Sequence, residues 1–129
     1  MTLREQIQQV IDDEPVAIFM KGTPERPACG NSLRALQALW GAGAPITAVD
    51  ILPDPRIRQE LSALTDWPTI PQVFVRGELI GGADITEELY ESGDLERKLD
   101  EKLGEGWRAP GNERVIDLVP GNNPFRLAG

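Results

Sequence analysis

The 129-residue chain contains no histidine and a single cysteine, Cys29. Those two shortages exclude a Ser-His-Asp triad, a histidine-bearing zinc site and any disulfide within the chain. Aromatics are scarce at 5%, and bases are outnumbered: 13 Lys and Arg against 21 Asp and Glu give a net charge of −8. Such an acidic chain has no electrostatic reason to seek nucleic acid or an anionic membrane, and neither is expected as a partner. Long apolar runs are missing too. The longest, Val16-Ala17-Ile18-Phe19-Met20, is far too short to cross a bilayer, and the opening MTLREQIQQVIDD lacks the apolar stretch of a secretory signal. The expectation is a cytoplasmic protein with one folded domain, since 40% hydrophobic and 26% charged residues suit neither a disordered nor a fibrous chain.

Thr2 and Glu5 have the spacing of a capping box, and Leu3, Ile7, Val10 and Ile11 follow at helical intervals. Val16 to Met20 reads as a strand buried on both faces. A Gly/Pro-rich loop, Lys21 to Ala28, leads to Cys29. Leu33, Leu36, Leu39 and Trp40 then mark a second helix, which Gly41 and Gly43 are expected to stop. Ile46 to Ile51 is a second strand, and a third helix opens at Asp54 or Pro55. Gln72 to Val75 and Glu78 to Gly81 form a hairpin about Arg76-Gly77. Gly82-Ala83-Asp84 opens a last helical region, broken near Ser92-Gly93 and ending near Leu103. A parallel crossover followed by an antiparallel hairpin predicts an α/β domain over residues 1–104, a four-stranded mixed sheet with helices on both faces. From Glu105 the texture changes. The turn-formers Pro110-Gly111-Asn112 and Pro120-Gly121-Asn122-Asn123-Pro124 flank Val115 to Val119, and the three acids and three bases of residues 105–129 cancel. This extension is expected to be partly docked, through Trp107 and Phe125, rather than wholly solvated.

Cys29 should lie at a helix amino terminus, where free N–H groups and the positive dipole end favour thiolate, with Lys21 nearby. A lone cysteine is more often a small buried hydrophobe, but its neighbours Ala28 and Gly30 belong to a loop. The Cys29-Gly30-Asn31-Ser32 segment has no second thiol, so Cys29 can pair only with another molecule or ligate a metal. A small thiol such as glutathione would find Lys21 and Arg58 for one carboxylate and the backbone donors of Gly81 to Asp84 for the other. Asp84 would take its ammonium or simply cap the helix. In Trp67-Pro68-Thr69-Ile70-Pro71-Gln72, a cis Ile70–Pro71 bond would free backbone groups for an extended peptide ligand; the alternative is a rigid loop with Trp67 as a core plug. Residues 21–76 hold six bases and five acids, whereas residues 84–101 hold two bases and eight acids, so a near-neutral site sits on an acidic body.

Three segments, KGTPERPACGNS (21–32), VDILPDPRIRQEL (49–61) and WPTIPQVFVRGELIGGADI (67–85), resemble in order and spacing the monothiol glutaredoxins of the CGFS type. The resemblance covers roughly residues 1–104 and implies a thioredoxin fold with a cis Pro71. It implies a glutathione site built from Lys21, Cys29, Arg58, Thr69, Ile70, Pro71, Gly82, Ala83 and Asp84, with Cys29 as the catalytic residue. It further implies a [2Fe-2S] cluster between two subunits. A cluster needs four thiolates, and a one-cysteine chain supplies them as two Cys29 and two glutathione sulfurs. The implied protein is a homodimer when cluster-bound and a monomer without it. It would act in iron–sulfur assembly and iron homeostasis, with a BolA-like protein and iron–sulfur acceptor proteins as partners. The alternative is a glutathione-dependent monothiol oxidoreductase that deglutathionylates proteins without a stable cluster. Two positions depart from the family: its Phe is Asn31 here, and Ala83 stands where many relatives have Cys. Asn31 and Ser32 are expected to modulate the thiol, and the polar Asn31 to leave a cluster more solvated and more labile.

Overall fold

The computed structural model describes residues 1–118; the expectations for Phe125 and the second turn cluster lie outside them. The chain runs α1 (Leu3–Asp13), β1 (Val16–Met20), α2 (Gly30–Ala42), β2 (Ile46–Asp50), α3 (Pro55–Thr65), β3 (Gln72–Val75), β4 (Glu78–Gly81), α4 (Ala83–Ser92), α5 (Asp94–Leu103) and β5 (Glu113–Val115). The capping box forms: the Thr2 hydroxyl accepts from Glu5 N–H at 3.1 Å, and Glu5 Oε1 accepts from Thr2 N–H at 3.0 Å. Asp54 caps α3, accepting from Arg56 N–H at 2.9 Å, with Pro55 in the first helical position.

The strand order is β4-β3-β1-β2-β5, with β1 and β2 parallel and β3 antiparallel to both β1 and β4. Every residue of β1 is buried, as a strand covered on both faces requires. Successive side chains divide between two cores. Ile18 and Met20 join Leu36, Leu39, Leu95 and Leu99 on the α2, α4 and α5 side. Ala17 and Phe19 join Ile7, Ile11, Ile57 and Leu61 on the α1 and α3 side. Both cores lock the middle strand, so the carboxyl end of β1 is a rigid base for the loop that presents Cys29.

Two expectations need correction. The sheet has five strands rather than four, because the extension adds β5 alongside β2 in parallel. Ile46 N–H donates to Asn112 O at 3.1 Å and Ile116 N–H to Ala48 O at 2.9 Å, satisfying an edge that would otherwise stay open. Trp107 buries its ring and donates to Asp100 at 2.5 Å, Trp40 donates to Glu113 at 2.5 Å, and Leu118 enters the second core. Gly41, meanwhile, does not stop α2. The helix continues to Ala42 and ends at Gly43, whose φ of 77° suits glycine. A Cβ at Gly41 would run into the Tyr90 ring, so this glycine lets α4 pack closely against α2.

Candidate functional site

The loop between β1 and α2 is held at several points before it delivers the thiol. Gly22, at φ 87°, donates to Asp50 Oδ1 at 2.9 Å, and Ala28 N–H donates to Lys21 O at 2.9 Å. A Cβ at Gly22 would lie 2.7 Å from Ala28 N, so the close crossing of the loop's two arms requires glycine. Cys29 then becomes the N-cap of α2, extended at φ −153° and ψ 148°. Its side chain occupies the place of a capping oxygen: Ser32 N–H donates to Sγ at 3.3 Å.

Ser32 is fully buried one turn later, and its Oγ lies 3.4 Å from Sγ while accepting from Lys21 N–H at 3.1 Å. With that backbone donor fixed on Oγ, the hydroxyl proton is free to turn towards an ionised sulfur. Partial burial pushes the Cys29 thiol up. It is outweighed by the Ser32 hydroxyl, the Ser32 and Asn31 N–H groups and the Lys21 charge, so the thiol sits below its ordinary value. Cys29 is only half-buried, so a thiol made more acidic than usual by its surroundings is also reachable.

Beside it opens a groove of about 380 Å³ between the start of α2, the segment before β3 and the start of α4. Thr69, Ile70, Pro71, Gly82, Ala83 and Asp84, all anticipated, line it together. The Ile70–Pro71 bond is cis. Gln72, buried behind it, donates to Trp67 O at 3.0 Å and Thr69 O at 3.3 Å, which fixes the loop's shape. Trp67 lines the groove rather than merely plugging the core. Gly82 is the N-cap of α4 and offers no side-chain cap, so the N–H groups of the first turn remain available. A Cβ there would stand 3.2 Å from Pro71 O, which shows how closely α4 approaches the cis proline.

Other anticipated residues are placed differently. Asp84 is not the helix cap; it lies in the first turn of α4 and accepts from Arg34 Nη2 at 2.8 Å. Arg58 lies within α3, exposed, donating to Pro68 O at 3.2 Å. Lys21, Arg58 and Cys29 itself stand outside the groove's lining, which reaches the thiol's turn through Asn31, and neither Lys21 nor Arg58 is ion-paired among the described residues. Asn31 is exposed, and its carbonyl accepts from Arg34 Nη1 at 3.2 Å. Arg34 itself was not anticipated. It follows Asn31 by three positions on α2, and that spacing, which puts both side chains on one helix face, was the available signal. Among the described residues no group of three or more acids or cysteines gathers to hold a metal ion. Any cluster would therefore draw on this chain for the single Cys29 thiolate.

A family model described as Glutaredoxin matches residues 16–80, from the start of β1 into β4. Glutaredoxin 4 of Escherichia coli K12 is 46% identical over 100 residues, covering 78% of this chain and 87% of that protein. The chain belongs to the glutaredoxin family. Glutaredoxin 4 of Haemophilus influenzae is likewise 46% identical, over 78% of this chain and 94% of its own length. Reduced apo GrxS14 of poplar superposes with a TM-score of 0.69 at 39% identity, covering 78% of this chain and 93% of that one. A buckwheat glutaredoxin in complex with glutathione gives 0.68 at 26% identity over 79% and 91% of the two chains. The fold is thus the thioredoxin fold, and this glutaredoxin is of the monothiol kind, its one cysteine being the N-cap of α2.

Proposed function

We propose that this glutaredoxin binds glutathione in the groove and uses Cys29 as one thiolate ligand of a [2Fe-2S] cluster bridged between two copies of the chain. The observation that carries the reading is the pairing of the Cys29 sulfur, which accepts from Ser32 N–H at a helix amino terminus, with a nearby groove of free backbone donors. The amino terminus of α4 suits one ligand carboxylate, and the unpaired Lys21 and Arg58 suit the other. Thr69 and Ile70, shaped by the cis proline, offer backbone groups to an extended tripeptide. When bound, the cluster would supply an exchangeable iron–sulfur unit for acceptor proteins; the chain's own part is to hold a thiolate and orient the glutathione that completes the ligand set. A cytoplasmic setting, a cluster-free monomer, a BolA-like partner and a role in iron homeostasis belong to the same reading. Among the described residues no helix is long and apolar enough to cross a membrane.

A specific observation also favours the second reading, deglutathionylation through a Cys29–glutathione mixed disulfide. Asn31 puts a solvated amide at the mouth of the site, where an apolar cover would shield a cluster. Anaerobic reconstitution with iron, sulfide and glutathione separates the two. The carrier reading predicts a glutathione-dependent visible spectrum on a dimer, lost in Cys29→Ser. A colourless monomer that still takes glutathione on Cys29 would leave the oxidoreductase.

A further inference from the structure

We propose that Arg34 determines specificity in this groove by reading the α-carboxylate at the γ-glutamyl end of glutathione, beside the Asp84 carboxylate already expected from the sequence to take the neighbouring ammonium. The inference rests on the glutathione reading above. Arg34 is the only base and Asp84 the only acid among the residues lining the groove, and they stand side by side. A free α-amino-acid group carries one charge of each sign a few bonds apart. An adjacent acid and base is the arrangement that distinguishes it from a plain carboxylate or a plain amine.

Glu87 is what lets Arg34 play this part. Arg34 Nε donates to one Glu87 oxygen at 3.1 Å and Nη2 to the other at 2.8 Å, a two-pronged grip from the next turn of α4. The guanidinium therefore does not depend on Asp84 for its position. Asp84 is 81% exposed at its side chain and engages Arg34 through Oδ1, leaving Oδ2 for an incoming ammonium. Asn31 Oδ1 takes a fourth Arg34 N–H, and the fifth, on Nη1, is left for a ligand oxygen. Without Arg34 the two carboxylates would repel a third. Glu87 is accordingly a positioning residue and touches no ligand.

The test is the equilibrium between Cys29 and small disulfides, read by intact mass. The Cys29 thiolate attacks the probe disulfide. One S–S bond forms to Cys29, the original one breaks, and the departing thiolate carries the electron pair, so the probe is the oxidant. The probes are the disulfides of glutathione, of its analogue without the α-carboxylate (4-aminobutyryl-Cys-Gly), of its analogue without the α-ammonium (glutaryl-Cys-Gly), and of Cys-Gly. The unaltered protein should prefer glutathione to all three. Arg34→Gln should cut the preference over 4-aminobutyryl-Cys-Gly by roughly fivefold or more, the loss of one charge-assisted hydrogen bond at a part-exposed site, while sparing the preference over glutaryl-Cys-Gly. Arg34→Lys and Glu87→Gln should fall between. An unchanged preference in Arg34→Gln, or an unaltered protein that ignores the missing carboxylate while still preferring glutathione to Cys-Gly, would overturn the inference alone. No preference for glutathione over Cys-Gly would overturn the glutathione reading, and the inference with it.

Discussion

Replacing Ser32 with Ala removes the one side chain among the described residues that hydrogen-bonds the sulfur, and its effect can be sized from the geometry. The hydroxyl lies 3.4 Å from Sγ, an ordinary distance for a weak sulfur hydrogen bond, at a half-buried thiol. A hydrogen bond to a charged group is worth about 1.5–3 kcal/mol in good geometry; the diffuse charge of sulfur and partial solvation reduce this one to about 0.7–1 kcal/mol. Since RT is about 0.6 kcal/mol, the thiolate-to-thiol ratio should fall by roughly three- to fivefold at any pH where both forms are present. Thiolate absorbance in the ultraviolet, followed through a pH titration, measures that ratio directly. Alkylation rate alone would understate the change, because a less acidic thiol is a better nucleophile once ionised. The same substitution strands Lys21 N–H without its acceptor, at a cost of about 1–3 kcal/mol in stability. Linkage fixes the pH dependence of the remainder. The folded thiol lies below its unfolded value, so its contribution is complete above the ordinary thiol pKa of about 8.5 and is lost as pH falls through the folded value. The stability gap between the two proteins should therefore widen from acid to alkaline pH. An unchanged or increased thiolate fraction in Ser32→Ala would refute the assignment of Ser32 as the group that holds the sulfur ionised.

Two further substitutions probe the frame around the site. Trp107→Ala should cost about 3–4 kcal/mol in denaturant unfolding, because it empties the ring's place against α5 and removes the bond to Asp100 that ties the extension down; a loss under about 1 kcal/mol would mean that the extension is not part of the cooperative unit. Gly22→Ala should cost about 1–3 kcal/mol and also slow alkylation of Cys29, since φ is 87° and the new Cβ meets the opposite arm of the loop. Full stability with normal thiol reactivity would contradict the account of the loop.

Much of the frame was legible because its signals are local. Thr2 and Glu5 announce α1 within one turn, and five consecutive apolar residues announce β1. The cysteine's place as a helix cap follows from the Pro/Gly loop before it and the leucine spacing after it. What stayed hidden depends on pairing across the chain. The three residues of β5 are all exposed, so they show no alternation, and only the free edge of β2 selects them. Arg34 reads as an ordinary solvated charge until the fold brings in Asp84 and Glu87, 50 and 53 positions away. Gly41 looks like a helix stop, and only the approach of Tyr90 reveals it as a packing position. Segment order placed the groove's walls beside the thiol; how Arg34 bridges them required the tertiary structure.

The most direct measurement is a titration of the cluster-free protein with glutathione, followed through its backbone amide resonances. The account predicts saturable shifts confined to Lys21, the Cys29 turn, Arg58, Thr69, Ile70, Gly82, Ala83 and Asp84, with β5 and the body of α5 silent. Shifts centred elsewhere, or none at millimolar glutathione, would contradict the claim that this groove is a glutathione site.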